Sequence, residues 1–170
     1  MQRLRKILQI RGIKLSLEIA LIVLVFIAIK TYMQRNLVEG AVPTVQGRLL
    51  SGQPVSLQSY KGQPVLLHFW ATWCPVCKLE QASIEAISKD HAVVTIAMNS
   101  GNDLEVKSYL DEHHLTFPVI VDEHSVIAKR FGVQGVPTSF IINPDGNIAF
   151  TEVGFTTSWG LRFRLWMAQD

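Results

Sequence analysis

The two cysteines of this chain, Cys74 and Cys77, stand two residues apart in Trp73-Cys74-Pro75-Val76-Cys77-Lys78. They follow directly on Val65–Trp70, a nearly continuous apolar run that suits a strand covered on both faces. From Pro75–Ser88 the apolar positions Val76, Leu79, Ala82, Ile84, Ala86 and Ile87 suit an amphipathic helix. The pair therefore sits where a buried strand gives way to a helix. A structural zinc site needs about four ligands, usually a second such pair or two spaced histidines, and neither is present. Covalent haem attachment needs a histidine after the second cysteine, where this chain has Lys78. A structural disulfide between these positions would close a tiny loop and constrain the unfolded chain little. What remains is cysteine chemistry.

The surrounding pattern is that of an α/β domain. Residues 48–57 read as a hairpin around Ser51-Gly52, and Ala92–Met98 reads as a second buried strand. Strand, helix and strand then make a βαβ unit. Residues 103–114 form a further helix behind an Asn-Asp cap, 117–121 a short strand and 126–131 a short helix. Residues 139–142 and 148–153 flank the turn Asn143-Pro144-Asp145-Gly146, and residues 158–168 form a last helix covering one face through Leu161, Leu165 and Trp166. The order βαβ followed by ββα predicts a mixed central sheet with helices on both faces.

The start of the chain has another character. Arg3, Arg5, Lys6, Arg11 and Lys14 occur without an acid, and a hydrophobic stretch follows. Residues 19–29 are unbroken apolar; with Leu15, Leu17, Tyr32 and Met33 the stretch approaches the about 20 residues of a membrane span, Glu18 and Lys30 lying near its ends. No small-x-small cleavage site follows Ile29. The expected organisation is a cytoplasmic basic tail (1–14), a transmembrane signal anchor (15–33), a stalk loosened by Gly40 and Pro43 (34–44) and one domain (45–170). The positive-inside rule sends that domain outward, to the periplasmic side of the inner (cytoplasmic) membrane. With a net charge of +2 and no basic cluster beyond the first 14 positions, nucleic acid is not an expected partner.

The run from Val65 to Cys77, His68-Phe69-Trp70-Ala71-Thr72-Trp73-Cys74 included, resembles the active-site signature of the thioredoxin superfamily. Phe131-Gly132-Val133-Gln134-Gly135-Val136-Pro137-Thr138 resembles the loop that carries that superfamily's cis-proline. The Trp-Ala-Thr-Trp-Cys wording, the hairpin region ending at Lys61-Gly62 and the anchor make the chain most similar to the membrane-anchored TlpA, ResA and CcmG group, and within it to the ScsD type. The resemblance implies a thioredoxin-like fold and a thiol–disulfide oxidoreductase acting on protein thiols and disulfides without a cofactor. A setting in copper tolerance or cytochrome c maturation and a membrane redox partner are implied with it.

Position supplies the chemistry. Cys74 at a helix N-terminus meets free N–H groups and the positive end of the macrodipole, which favour thiolate, so it is the expected attacking sulfur. Cys77, one turn on and expected to be more covered, would resolve the mixed disulfide. The resemblance makes Pro137 cis and lays it against the pair, with the Val136 carbonyl open to a substrate backbone; Trp73, Pro75, Val76 and Thr138 complete the expected substrate rim. His68 stands where thioredoxins have a buried aspartate. It could accept the Cys77 proton, stabilise thiolate when protonated, or be a core histidine with a backbone partner. Glu80, three residues after Cys77, matches a carboxylate of related reductases, although helical spacing alone favours a solvated face. Trp70 packs near the site or in the core, and His91, Glu112, His113 and His114 show no ligand spacing.

Direction of electron flow is not written in the motif. A reductase is favoured; a DsbA-like oxidase and a Cu(I)-binding module holding metal on both thiolates stay open. A peroxidase would need Thr-x-x-Cys, whereas Thr72 stands two before Cys74. If the anchor is retained, the chain fractionates with membranes and external protease removes residues 40–170. N-terminal sequencing that begins after residue 30 would instead identify a cleaved leader.

Overall fold

In the computed structural model the backbone is described for residues 2–169 and side chains for residues 14–169. The side chains of Arg3, Arg5, Lys6 and Arg11, on which the basic tail depends, lie outside the described residues. Helix α1 (Gln2–Gln34) contains Lys14–Gln34, a segment long and apolar enough to cross a membrane. Residues 14–29 of it are exposed. Such a helix satisfies its backbone polar groups internally, the condition for burial in hydrocarbon.

The chain divides into two compact units, Met1–Arg35 and Asn36–Asp170. The second contains β1 (Gly40–Ala41), β2 (Gln46–Arg48), β3 (Pro54–Ser56), a 3-10 turn (Leu57–Tyr60), β4 (Val65–Trp70), α2 (Pro75–Ser88) and β5 (Ala92–Met98). It continues with α3 (Asp103–Glu112), β6 (Val119–Asp122), α4 (Val126–Arg130), β7 (Thr138–Ile142), β8 (Asn147–Val153) and α5 (Ser158–Met167). The main sheet has the order β1-β8-β7-β4-β5-β6, and β2 pairs with β3 apart from it. β4 runs parallel to β5 and antiparallel to β7, so the sheet is mixed as expected.

Every residue of β4 is buried because the sheet has cover on both faces. Leu66 and Trp70 pack with Ile84 and Ile87 of α2, Val106 and Leu110 of α3, and Leu161 and Leu165 of α5. Val65, Leu67 and Phe69 pack on the other side with Ala128, Phe131 and Phe140. Phe69 meets Phe131 and Phe140 with ring centroids 5.4 and 5.8 Å apart, a range in which tilted aromatic pairs attract.

Three expectations are corrected. The stalk at 34–44 is mostly part of the domain: Gly40 and Ala41 pair with Ile148 and Asn147, and the Val38 and Val42 N–H groups donate to Phe131 and Gly146 at 3.2 and 3.0 Å. An edge of the sheet offered unpaired backbone groups, and this segment takes them. Helix α2 turns Cys77, Glu80, Ile84 and Ile87 inward, a spacing of three and four, while Val76 and Leu79 are exposed. In α5 Leu161 and Leu165 are buried, but Trp166 faces solvent at 63%.

Gly132 has φ +70, and a Cβ there would collide with the Asn36 carbonyl. Gly52, φ +88, has nothing within 4 Å. Both pay about 1 kcal/mol for a left-handed alanine, and only Gly132 must also displace the backbone of Asn36 and Leu37. Gly132→Ala is therefore expected to lower unfolding free energy by roughly 2 kcal/mol more than Gly52→Ala in denaturant titrations; equal losses would show that the 36–42 segment is not held there.

Candidate active site

Cys74 is the N-cap of α2, and Pro75 opens the helix. The Cys77 N–H donates to Cys74 Sγ at 3.1 Å, and the two sulfurs form a disulfide with Cα atoms 5.3 Å apart. A helix N-terminus has unpaired N–H groups, and one of them is directed here at Cys74 Sγ. The expectation that Cys77 is the more covered does not hold for the disulfide form: both residues are 3% exposed. They differ instead in that Cys74 receives the helix-end amide.

The turn before Cys74 is braced from the end of β5. The Thr72 N–H donates to Ser100 Oγ at 3.1 Å, and the Trp73 indole N–H to the Asn99 carbonyl at 2.9 Å. Asn99 has φ +47, a left-handed conformation that asparagine adopts more readily than most residues. Trp73 is thereby held at the surface, 57% exposed. Trp70, in contrast, is core: its indole N–H donates to Thr95 Oγ1 at 3.1 Å.

The loop before β7 faces this turn because Phe69 pairs with Thr138. The Val136–Pro137 bond is cis, and the Val136 carbonyl oxygen lies 3.5 Å from Cys74 Sγ. Val136 therefore borders the pair, and Pro75 and Val76 are exposed beside it. Thr138 departs from its expected place on the substrate rim: it is 2% exposed, and its hydroxyl donates to the Gly135 carbonyl at 2.8 Å, closing the turn.

Two titratable groups are buried here, His68 on β4 and Glu80 on α2. His68 is 2% exposed, and its Nδ1 is 2.9 Å from Ser139 Oγ, directly across from it on β7. Its partner is thus a side chain rather than backbone, and burial pushes the imidazole down to about 3, leaving it neutral at physiological pH. Glu80 is also 2% exposed, which corrects the solvated placement that helical spacing favours. Its Oε1 accepts the Thr156 N–H from the segment before α5, and among the described residues its Oε2 is the buried side-chain oxygen without a partner. Burial raises the Glu80 carboxyl to about 7, against the opposing pull of the Thr156 hydrogen bond.

The family model Redoxin matches residues 37–158. The chain belongs to the redoxin family. A thioredoxin-like protein of Haemophilus influenzae is 30% identical over 159 residues, covering 92% of this chain and 95% of the relative. Thiol-disulfide oxidoreductase ResA of Bacillus thuringiensis is 36% identical over 103 residues, 58% of this chain and 60% of the relative. Among solved structures, a thiol:disulfide interchange protein of the thioredoxin family from Chlorobium tepidum superposes with a TM-score of 0.68 at 28% identity, covering 78% of this chain and 98% of that one. This redoxin is a thioredoxin-like thiol–disulfide oxidoreductase, and Cys74–Cys77 is the pair that fits its exchange chemistry.

Sequence reading passed over Ser139, Thr156, Asn99 and Ser100. Each acts through an atom brought from a distant strand or loop, and none belongs to a motif. The sign of the Glu80 effect on stability follows from its raised carboxyl. The native state holds this proton up to about pH 7 while the unfolded chain releases it near 4.5, so wild-type stability falls as pH rises between those values. Glu80→Gln removes that slope. Denaturant titrations of the oxidised protein at pH 5 and pH 8 should show the variant gaining on wild type by on the order of 3 kcal/mol; a constant difference would mean that Glu80 titrates as an exposed acid.

Proposed function

We propose that this redoxin reduces protein disulfides on the periplasmic side of the inner membrane, with Cys74 attacking, Cys77 resolving and Glu80 taking the resolving proton. The observation that carries the reading is the buried Glu80 carboxyl, one helical turn from Cys77, with Oε2 unpartnered and its acidity shifted to about 7. A base serves best when its pKa lies near the working pH. His68 is a poor alternative: an imidazole pushed down to about 3 neither accepts a thiol proton readily nor supplies the positive charge that would stabilise a thiolate. The absence of that charge favours a reductase over a strongly oxidising, DsbA-like protein.

In the reduced enzyme the Cys74 thiolate attacks one sulfur of a substrate disulfide, and the other substrate sulfur leaves as a thiolate. The Val136 carbonyl, beside Cys74, receives an N–H of the extended substrate backbone, and Trp73, Pro75 and Val76 line its approach. Cys77 then gives its proton to Glu80 and attacks Cys74 Sγ. The Cys74–substrate bond breaks, the second substrate thiolate departs, and the two substrate thiolates take one proton from Glu80 and one from water. Two electrons have moved from the cysteine pair to the substrate. Each new cycle requires a dithiol donor, for which a membrane protein beside the anchored chain is the fitting source.

Cys74→Ala should abolish exchange, whereas Cys77→Ala should accumulate mixed disulfides visible on non-reducing gels. Glu80→Gln should slow release of the mixed disulfide on the order of 10²-fold at pH 7 and flatten its pH dependence between about pH 6 and 8. His68→Asn, replacing a group that stays neutral, should leave that profile in shape. Insulin reduction with mixed-disulfide quantification across pH checks all four; a Glu80→Gln profile superimposable on wild type would remove Glu80 from the mechanism.

A further inference from the structure

Helix α5 buries Leu161 and Leu165 and leaves Trp159, Phe163, Trp166 and Met167 exposed at 85%, 58%, 63% and 44%. At 3.6 residues per turn, positions 159, 163 and 166 fall within an arc of about 60°, so the three aromatic side chains form one stripe. Phe163 and Trp166 stack with centroids 5.8 Å apart. Side chains of this size present on the order of 500 Å² of apolar surface, the scale at which a patch on a folded unit marks an interaction site.

We propose that this stripe inserts into the interface of the bilayer that carries α1, giving the folded unit a second membrane attachment. Chain length is the first argument. The folded unit begins at Asn36, two residues beyond the end of α1 at Gln34, and a chain reaches only about 3.5 Å per residue, so this point of the unit stays at the membrane surface. The second argument is where that point lies within the unit. Asn36 packs on Gly132, and the Gly154 N–H, four residues before α5, donates to the Pro137 carbonyl at 2.9 Å. The entry point of the chain and the approach to α5 therefore flank one loop of six residues, 132–137. Composition is the third: tryptophan and phenylalanine are the side chains that settle at the headgroup level.

Charge then decides which lipids are needed. Arg162 donates to Asp90 at 2.7 Å and to the Ala86 carbonyl at 3.2 Å, and Arg164 pairs with Glu152 at 2.5 Å. The cations of α5 are engaged within the protein, so attachment runs through aromatic insertion and not through attraction to anionic headgroups. A zwitterionic bilayer suffices. The attachment is independent of the redox reading and would stand if that reading failed.

The test uses the full chain in phosphatidylcholine vesicles whose acyl chains carry bromine just below the headgroups, which quenches indoles lying in the interface. Wild-type emission should be quenched, and Trp159→Phe with Trp166→Phe should remove at least half of the quenched part, leaving the buried Trp70 and the exposed Trp73 of the active-site turn. Phe163→Asp, which keeps every indole, should lower quenching about twofold. Added phosphatidylglycerol or high salt should change neither result. All three positions are exposed, so the variants should keep wild-type exchange with a small disulfide in detergent. Quenching that is the same in wild type and the double variant overturns the proposal. So does shielding of Trp159 and Trp166 from brominated lipid and aqueous acrylamide alike, together with a dimer in sedimentation, because a second copy would then occupy the stripe.

Discussion

The antiparallel pairing of β4 with β7 is the contact on which the site depends. It sets Phe69 opposite Thr138 and His68 opposite Ser139, so the turn that follows Trp70 and the loop that precedes Thr138 leave the sheet at the same end. Cys74 and Val136, 62 residues apart in sequence, thereby come within 3.5 Å. A slip of one residue would reverse which side chains of β4 face α2. That slip is opposed from both sides, because Leu66 and Trp70 fill one core while Leu67 and Phe69 fill the other. The precision of the site is thus a property of a strand packed on two faces, with the brace from Asn99 and Ser100 holding the turn that the strand releases.

Burial gives the two ionisable groups His68 and Glu80 opposite tendencies. It disfavours charge in both, and the result depends on which form of each group is neutral. For His68 the neutral form is the base, so the imidazole stays unprotonated and its Nδ1 faces a serine hydroxyl. For Glu80 the neutral form is the acid, so the carboxyl is carried up to about 7 and gains or loses its proton near physiological pH. One cause therefore removes His68 from titration and brings Glu80 into it. The lone hydrogen bond from Thr156 leaves Glu80 Oε2 unpartnered, a state that destabilises the folded chain but gives the carboxylate capacity to accept a proton.

Much of this was legible in the residues alone. The continuous apolar run of β4, the turn at Asn143-Pro144-Asp145-Gly146 and the alternation of strand and helix signals lead to a mixed, doubly covered sheet, because periodicity and turn chemistry are local. The cysteine pair and the Val136-Pro137 loop were legible for the same reason, as short motifs with characteristic neighbours. Residues 36–44 were not: Gly40 and Pro43 discourage regular structure, and only the open edge of β8 makes a strand of Gly40–Ala41. Glu80 and Trp166 were each assigned the opposite environment from the one they occupy, since the inward face of a helix follows from what packs against it, and those partners come from elsewhere in the chain.

The sequence by itself determined that a strand ends and a helix begins at the sulfur pair, that a span-length apolar helix precedes the domain, and that disulfide exchange is the chemistry these cysteines can do. Those properties depend on residues within a turn or two of one another. Tertiary structure decided which partner each ionisable side chain meets and how much water reaches it. The acidity of Glu80, the neutrality of His68, the closure of Thr138 onto Gly135 and the outward stripe of α5 all follow from burial, and burial is set by segments that the chain brings together only when it folds.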